Sequence, residues 1–190
     1  MDLELKDKVA VVGGASKGLG RACAEVLAQE GMKVALCSRS QPDLDKAAKE
    51  IRGAFGADVL VFAGDLDRPD TVRELIAATV ARFGRLDVMV NNSGGPPLAR
   101  AHNATEEQWA TAVQRSLLFF ARMAREAVPH LKRQGGGASL IYWPAPCTSP
   151  SPTWRSPAPP AWAWSRSPRA WPTKWAATVS SSTTCARARS

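Results

Sequence analysis

Apolar and polar positions alternate in blocks up to about residue 142. Val9-Ala10-Val11-Val12 is an unbroken apolar run that enters a glycine-rich turn from Gly13 to Gly20, and an amphipathic stretch follows. A run that is apolar on both faces predicts a buried parallel strand over residues 8–13. Ala22, Val26 and Leu27 predict one face of a helix over residues 18–30, with Gly31 as its stop. The pairing then repeats. Strands are predicted over residues 33–37, 58–63, 86–90 and 138–142. A helix over residues 41–55 opens on Gln41-Pro42-Asp43. Another opens at Asp67-Arg68-Pro69-Asp70 and carries Val72, Leu75, Ile76, Val80 and Phe83. Thr105-Glu106-Glu107-Gln108 resembles a capping box and starts a long helix over residues 106–133. Strands alternating with helices of this length predict an α/β fold, a doubly wound parallel sheet with its first five strands present.

Composition changes this picture only beyond Tyr142. The chain has 190 residues and a formal charge of +8. No acidic residue follows Glu126, while Arg155, Arg166, Arg169, Lys174, Arg187 and Arg189 all lie in the last stretch. The body is thus near neutral, and nucleic acid is not its expected partner. No apolar run is long enough to span a bilayer, and the mixed-charge start lacks the apolar core of a signal peptide. Cys23, Cys37, Cys147 and Cys185 show no CxxC spacing, so a reduced, cytoplasmic setting is expected. His102 and His130 have no metal-ligand neighbour at useful spacing, so no metal is expected.

The glycine-rich turn is the first candidate site. Gly14, Ser16, Lys17, Gly18, Leu19 and Gly20 lie between a strand and a helix, where glycines let the backbone approach a pyrophosphate and the helix N-terminus offers free N–H groups. The end of the second strand reads Cys37-Ser38-Arg39-Ser40, without a carboxylate to accept from a ribose 2′-hydroxyl. Arg39 can instead grip a 2′-phosphate, with Lys17 adding charge. NADP(H) is therefore expected over NAD(H).

Together these motifs resemble the short-chain dehydrogenases/reductases over about residues 6–142. Gly14-xxx-Gly18-x-Gly20 matches the family's TGxxxGxG, with Gly13 in place of Thr. Asn91-Asn92-Ser93-Gly94 matches its NNAG, with Ser for Ala. Asp65-Leu66 sits where the family sets an acidic residue against adenine, and Trp109 fits the helix that follows. The resemblance implies a Rossmann domain over residues 1–142. It also implies cofactor contacts from Asp65, Leu66, Asn91, Ser93 and Gly94, a homo-oligomeric parent, and hydride transfer between NADP(H) and a small carbonyl or alcohol substrate of 3-oxoacyl-reductase-like type. The family's catalytic arrangement is Tyr-Lys-Ser-Asn, with YxxxK on one helix face. Tyr142 is the single tyrosine, position 146 is Pro146, and no YxxxK occurs; Ser116 stands at the family's Asn position. The alternative is a non-catalytic dinucleotide-binding protein of the same fold.

Residues 143–190 hold six of the seven tryptophans and nine of the 14 prolines, with no helical or strand period. Such a segment is expected to be a disordered tail. A Pro-rich docking tail and an Arg/Trp tail for single strands are two readings of it. A third is a shifted reading frame. Read one base earlier, every Trp codon becomes a Leu, Val or Met codon. Pro144 and Pro172 are then forced to Ala, and Ala163 and Ala176 to Gly. The restored stretch can encode a loop, an amphipathic helix, a strand and a Pro-Gly turn, as the family has after its fifth strand. The expected consequence is a truncated, inactive product with its fifth strand as an exposed edge.

Overall fold

The computed structural model describes residues 4–95 and 101–141. Five parallel strands form one sheet: β1 (Val9–Gly13), β2 (Lys33–Ser38), β3 (Val59–Ala63), β4 (Val88–Asn91) and β5 (Ala138–Ile141), in the order β3-β2-β1-β4-β5. The chain winds outward from β1 to β3, then crosses back to β4 on the other side of β1. That reversal opens a crevice at the carboxyl ends of β1 and β4, where open α/β sheets take their ligands.

Both faces of the sheet are covered, which is why β1 is apolar throughout and fully buried. On one face α1 (Gly18–Gln29) and α2 (Gln41–Phe55) pack Ala24, Ala28, Leu44, Ala47, Ala48 and Ile51 against Ala10, Val12, Val34 and Leu36. On the other, α3 (Pro69–Phe83) and α5 (Phe119–Arg133) pack Val72, Leu75, Ile76, Met123 and Leu131 against Val11, Ala35 and Met89.

Local rules account for most element ends. Ser40 Oγ accepts from the Asp43 N–H at the start of α2, and Gly56 closes that helix in the left-handed region. At α4 (Glu106–Val113), Thr105 and Gln108 form the expected capping box, with bonds of 3.0 and 3.3 Å. Asp87, buried just before β4, takes the Val9 N–H at 2.9 Å and both arms of Arg85.

Several expectations are corrected. Ala22 and Val26 do not face the core; Val26 is 57% exposed, and α1 instead packs through Gly20, Ala24 and Ala28. Small residues let α1 lie close to the sheet, so its inner face carries little hydrophobic signal. The cap of α3 is Arg68, with no side-chain bond; Pro69 and Asp70 open the helix. The long helix is not uniform: residues Gln114–Leu118 form a π turn between α4 and α5, where the Phe119 N–H reaches back to the Gln114 carbonyl. Among the described residues β5 is the outer strand on its side of the sheet. Tyr142 and the expected tail, residues 143–190, lie outside the described residues.

Candidate nucleotide-binding site

A cleft of 280 Å³ opens at the carboxyl ends of the strands. The loop after β1 contributes Gly14, Ser16 and Lys17 to it. The loop is held in place by the Ala15 N–H, which donates to the Cys37 carbonyl at 3.0 Å. Lys17 caps α1 with extended backbone and makes no side-chain cap bond, so the first N–H groups of α1 are left for a ligand. Gly18 has φ +60°, and a Cβ there would meet nothing within 4 Å. Gly20 is the opposite case. A Cβ there would strike the Gly14 carbonyl oxygen and come within 2.7 Å of Asn92 Nδ2. Gly18 and Gly20 therefore shape the loop without lining the cleft, and Leu19 is 53% exposed on the first turn of α1.

The loop after β2 adds Ser38, Arg39, Ser40 and Asp43. Among the described residues neither Lys17 nor Arg39 has an ion-pair partner. Ser38 Oγ is buried and has no hydrogen-bond partner among the described residues. The loop after β3 adds Gly64, Asp65, Leu66 and Asp67, and is tied to β2 by the Gly64 N–H donating to the Ser38 carbonyl at 2.9 Å. Asp65 Oδ1 accepts from the Asp67 N–H at 3.1 Å. Behind this wall the buried Cys37 thiol is pushed up to about 12, first by burial and then by the Asp65 carboxylate. It is a packed apolar group here rather than a nucleophile.

The loop after β4 closes the site with Asn92, Ser93 and Gly94. Asn91 points the other way. It is 3% exposed, and its amide donates to Ser139 Oγ at 3.0 Å and the Leu140 carbonyl at 3.4 Å, tying β4 to β5. The cleft-facing member of the doublet is Asn92, whose amide donates to the Gly13 carbonyl at 3.3 Å. Arg115, from the π turn, completes the lining. Its Nε donates to Asp67 Oδ2 at 2.9 Å, and its carbonyl accepts from Ser93 Oγ at 2.7 Å. Ser116 is outside the lining; its hydroxyl bonds back to the Ala112 carbonyl within its own helix.

The structure thus brings together Gly14, Ser16, Lys17, Arg39, Asp65, Leu66, Ser93 and Gly94 of the residues singled out from the sequence. It leaves Gly18, Leu19, Gly20, Asn91 and Ser116 outside the lining. Sequence reasoning missed Ser38, Asp67, Asn92 and Arg115. The Asn doublet was the available signal for Asn92; nothing local marked Arg115. A close-packed glycine loop, unpaired cations and an orphaned buried hydroxyl fit a phosphate-bearing nucleotide.

Comparison with known proteins agrees with this geometry. The family described as short chain dehydrogenase matches residues 8–141. An uncharacterized oxidoreductase of Mycobacterium tuberculosis is 36% identical over 137 residues, covering 72% of this chain and 52% of the relative. L-sorbose reductase from Gluconobacter frateurii, solved in complex with NADPH and L-sorbose, superposes with TM-score 0.72 at 34% identity, over 74% of this chain and 54% of that one. An alcohol dehydrogenase from Thermococcus sibiricus, complexed with 5-hydroxy-NADP, gives TM-score 0.68 at 34% identity, over 72% and 57%. The chain spans about half the length of the curated relatives it matches. Among the described residues no helix is long and apolar enough to cross a membrane. The sheet order, the glycine loop and the family match over residues 8–141 place this chain in the short-chain dehydrogenase/reductase family.

Proposed function

We propose that residues 1–142 are the cofactor-binding part of an oxidoreductase specific for NADP(H) over NAD(H), and that the 190-residue chain binds the cofactor without turnover. One observation carries the preference: Lys17 and Arg39 line the cleft without an ion-pair partner among the described residues, beside the buried, unpartnered Ser38 hydroxyl. Two cations and a free donor match a further phosphate dianion. Gly14, Ser16, Lys17 and Arg39 would hold the phosphates, and Asp65 and Asn92 would face the rest of the nucleotide. In a full-length parent the bound cofactor would supply or accept the hydride. The NADPH and 5-hydroxy-NADP complexes of the two solved relatives support the same preference.

The expected partner of the full-length parent is a small carbonyl or alcohol, 3-oxoacyl-reductase-like in class, with the parent a cytoplasmic homo-oligomer. The chain as written contains no YxxxK, and Ser116 spends its hydroxyl on its own helix. That favours loss of turnover in this product, and the shifted-frame reading of residues 143–190 explains it. A non-catalytic dinucleotide-binding protein is the second reading, favoured by the same missing motif. Fluorescence titration of the 190-residue chain with NADPH and NADH tests the cofactor assignment. Saturable binding with NADPH tighter is expected, and tighter NADH binding overturns it. Resequencing the coding DNA around the Trp143 codon tests the frame; an intact, verified frame refutes the shift. Hydride transfer to a carbonyl panel by the frame-corrected protein separates enzyme from binder.

A further inference from the structure

The cleft is divided in charge between its two sides. The loops after β1 and β2, on the α1–α2 side, bring two cations, Lys17 and Arg39, and one carboxylate, Asp43 at the start of α2. The loop after β3 brings two carboxylates, Asp65 and Asp67, and between them Leu66, which is 6% exposed. Asp67 is ion-paired with Arg115 and Asp65 has no ion-pair partner among the described residues, so this side attracts a phosphate less than the side of Lys17 and Arg39 and suits another part of a nucleotide. Arg115 comes to the same side from the π turn, 48 residues from Asp67 in sequence.

Arg115 is held in one pose. Its Nε donates to Asp67 Oδ2 at 2.9 Å, with both side chains about a quarter exposed, at 27% and 24%. Its own carbonyl accepts the Ser93 hydroxyl at 2.7 Å. Asp67 is pinned in turn, because its carbonyl accepts from Gln114 Nε2 and from Arg122 Nη1. A guanidinium already matched to a carboxylate is a poor clamp for a further anion. Held at a cleft that is also lined by the buried Leu66, it can serve as a platform for a planar heteroaromatic ring. The carboxylate of Asp65 is within the same lining to accept from an exocyclic amine. The widened π turn, rather than a regular helix, carries Arg115 into the lining.

We infer that Arg115 recognises the nucleobase of the bound dinucleotide by stacking, and that Asp67 is the positioning residue that sets its plane. The inference rests on the nucleotide reading above. The test uses the 190-residue chain and two probes: adenosine 2′,5′-bisphosphate and its abasic counterpart, ribose 2,5-bisphosphate, each titrated calorimetrically. Arg115→Leu should weaken the adenosine probe about 5- to 10-fold and leave the abasic probe unchanged. Arg115→Lys, which keeps the charge but loses the planar fork, should weaken the adenosine probe comparably. Asp67→Asn should give a smaller loss, also confined to the adenosine probe. Equal weakening of both probes, or no weakening of either, overturns the inference. If the unmodified chain binds neither probe, the nucleotide reading itself fails and the inference falls with it.

Discussion

The side-chain amide of Asn92 donates to the main-chain carbonyl of Gly13 across 3.3 Å, joining positions 79 residues apart. This bond fastens the loop after β4 onto the glycine loop after β1. It leaves no room at Gly20, where a Cβ would strike the Gly14 carbonyl oxygen and crowd Asn92 Nδ2. Gly20→Ala should therefore cost about 1–3 kcal/mol of stability through overpacking and abolish NADPH binding, because the crowded atoms are the cleft wall itself. Gly18→Ala meets open space and only the left-handed backbone penalty, about 1 kcal/mol. Urea unfolding and NADPH titration of the two variants check the order. A milder effect at Gly20 than at Gly18 would refute the close-packing account.

Arg39 carries the cofactor preference. Arg39→Gln removes the fork that a 2′-phosphate would need, so NADPH affinity should fall about tenfold or more while NADH affinity stays within about twofold. Lys17→Met should give a smaller loss of the same kind, since an ammonium contributes a point charge without bidentate geometry. Parallel fluorescence titrations read both. An equal loss for NADH would move Arg39 from phosphate selection to general charge.

At the opposite end of the strands, Asp87 is a structural staple. It accepts the fully buried Val9 N–H at 2.9 Å and pairs with Arg85 through both oxygens. Asp87→Ala leaves that N–H buried and unsatisfied, at a cost of about 2 kcal/mol or more. Asp87→Asn keeps an acceptor for Val9 and should cost less. Urea denaturation midpoints at constant slope measure both, with cofactor affinity unchanged in Asp87→Asn.

The order of strands and helices was legible because Val9–Val12 and its successors are apolar wherever the sheet is covered on both faces. Less legible was the inner face of α1. Val26 looks like a core residue by type, yet Gly20, Ala24 and Ala28 hold that face because α1 approaches the sheet too closely for a larger side chain. The π turn at Gln114–Leu118 was invisible for a different reason: neither α4 nor the turn has a buried residue, so there is no apolar face whose register the extra residue would visibly shift. Arg115 was missed with it. Its place in the cleft depends on Asp67 and Ser93, partners 48 and 22 residues away, and no local pattern encodes them. The glycine loop was readable because its geometry is local: strand, turn and helix are contiguous in the chain.

Cys37 makes the fold's stability depend on alkaline pH. Burial first, and the Asp65 carboxylate second, raise its thiol from the ordinary 9.0 to about 12. The unfolded chain therefore loses this proton at lower pH than the folded one. The stabilisation is fully present below pH 9 and is lost as pH rises towards 12, at up to about 1.4 kcal/mol per pH unit. Replacing the thiol removes the effect and leaves the other alkaline titrations common to both proteins. Cys37→Ala should be somewhat less stable at pH 8, where it leaves a small cavity and loses the weak thiol contact to the Gly64 carbonyl. Between pH 8 and 10.5 the parent should lose about 2 kcal/mol more than the variant, so the two stability curves converge. Urea unfolding across that range, under reducing conditions, gives both curves. Curves that stay parallel would mean that the folded thiol ionises as readily as the unfolded one.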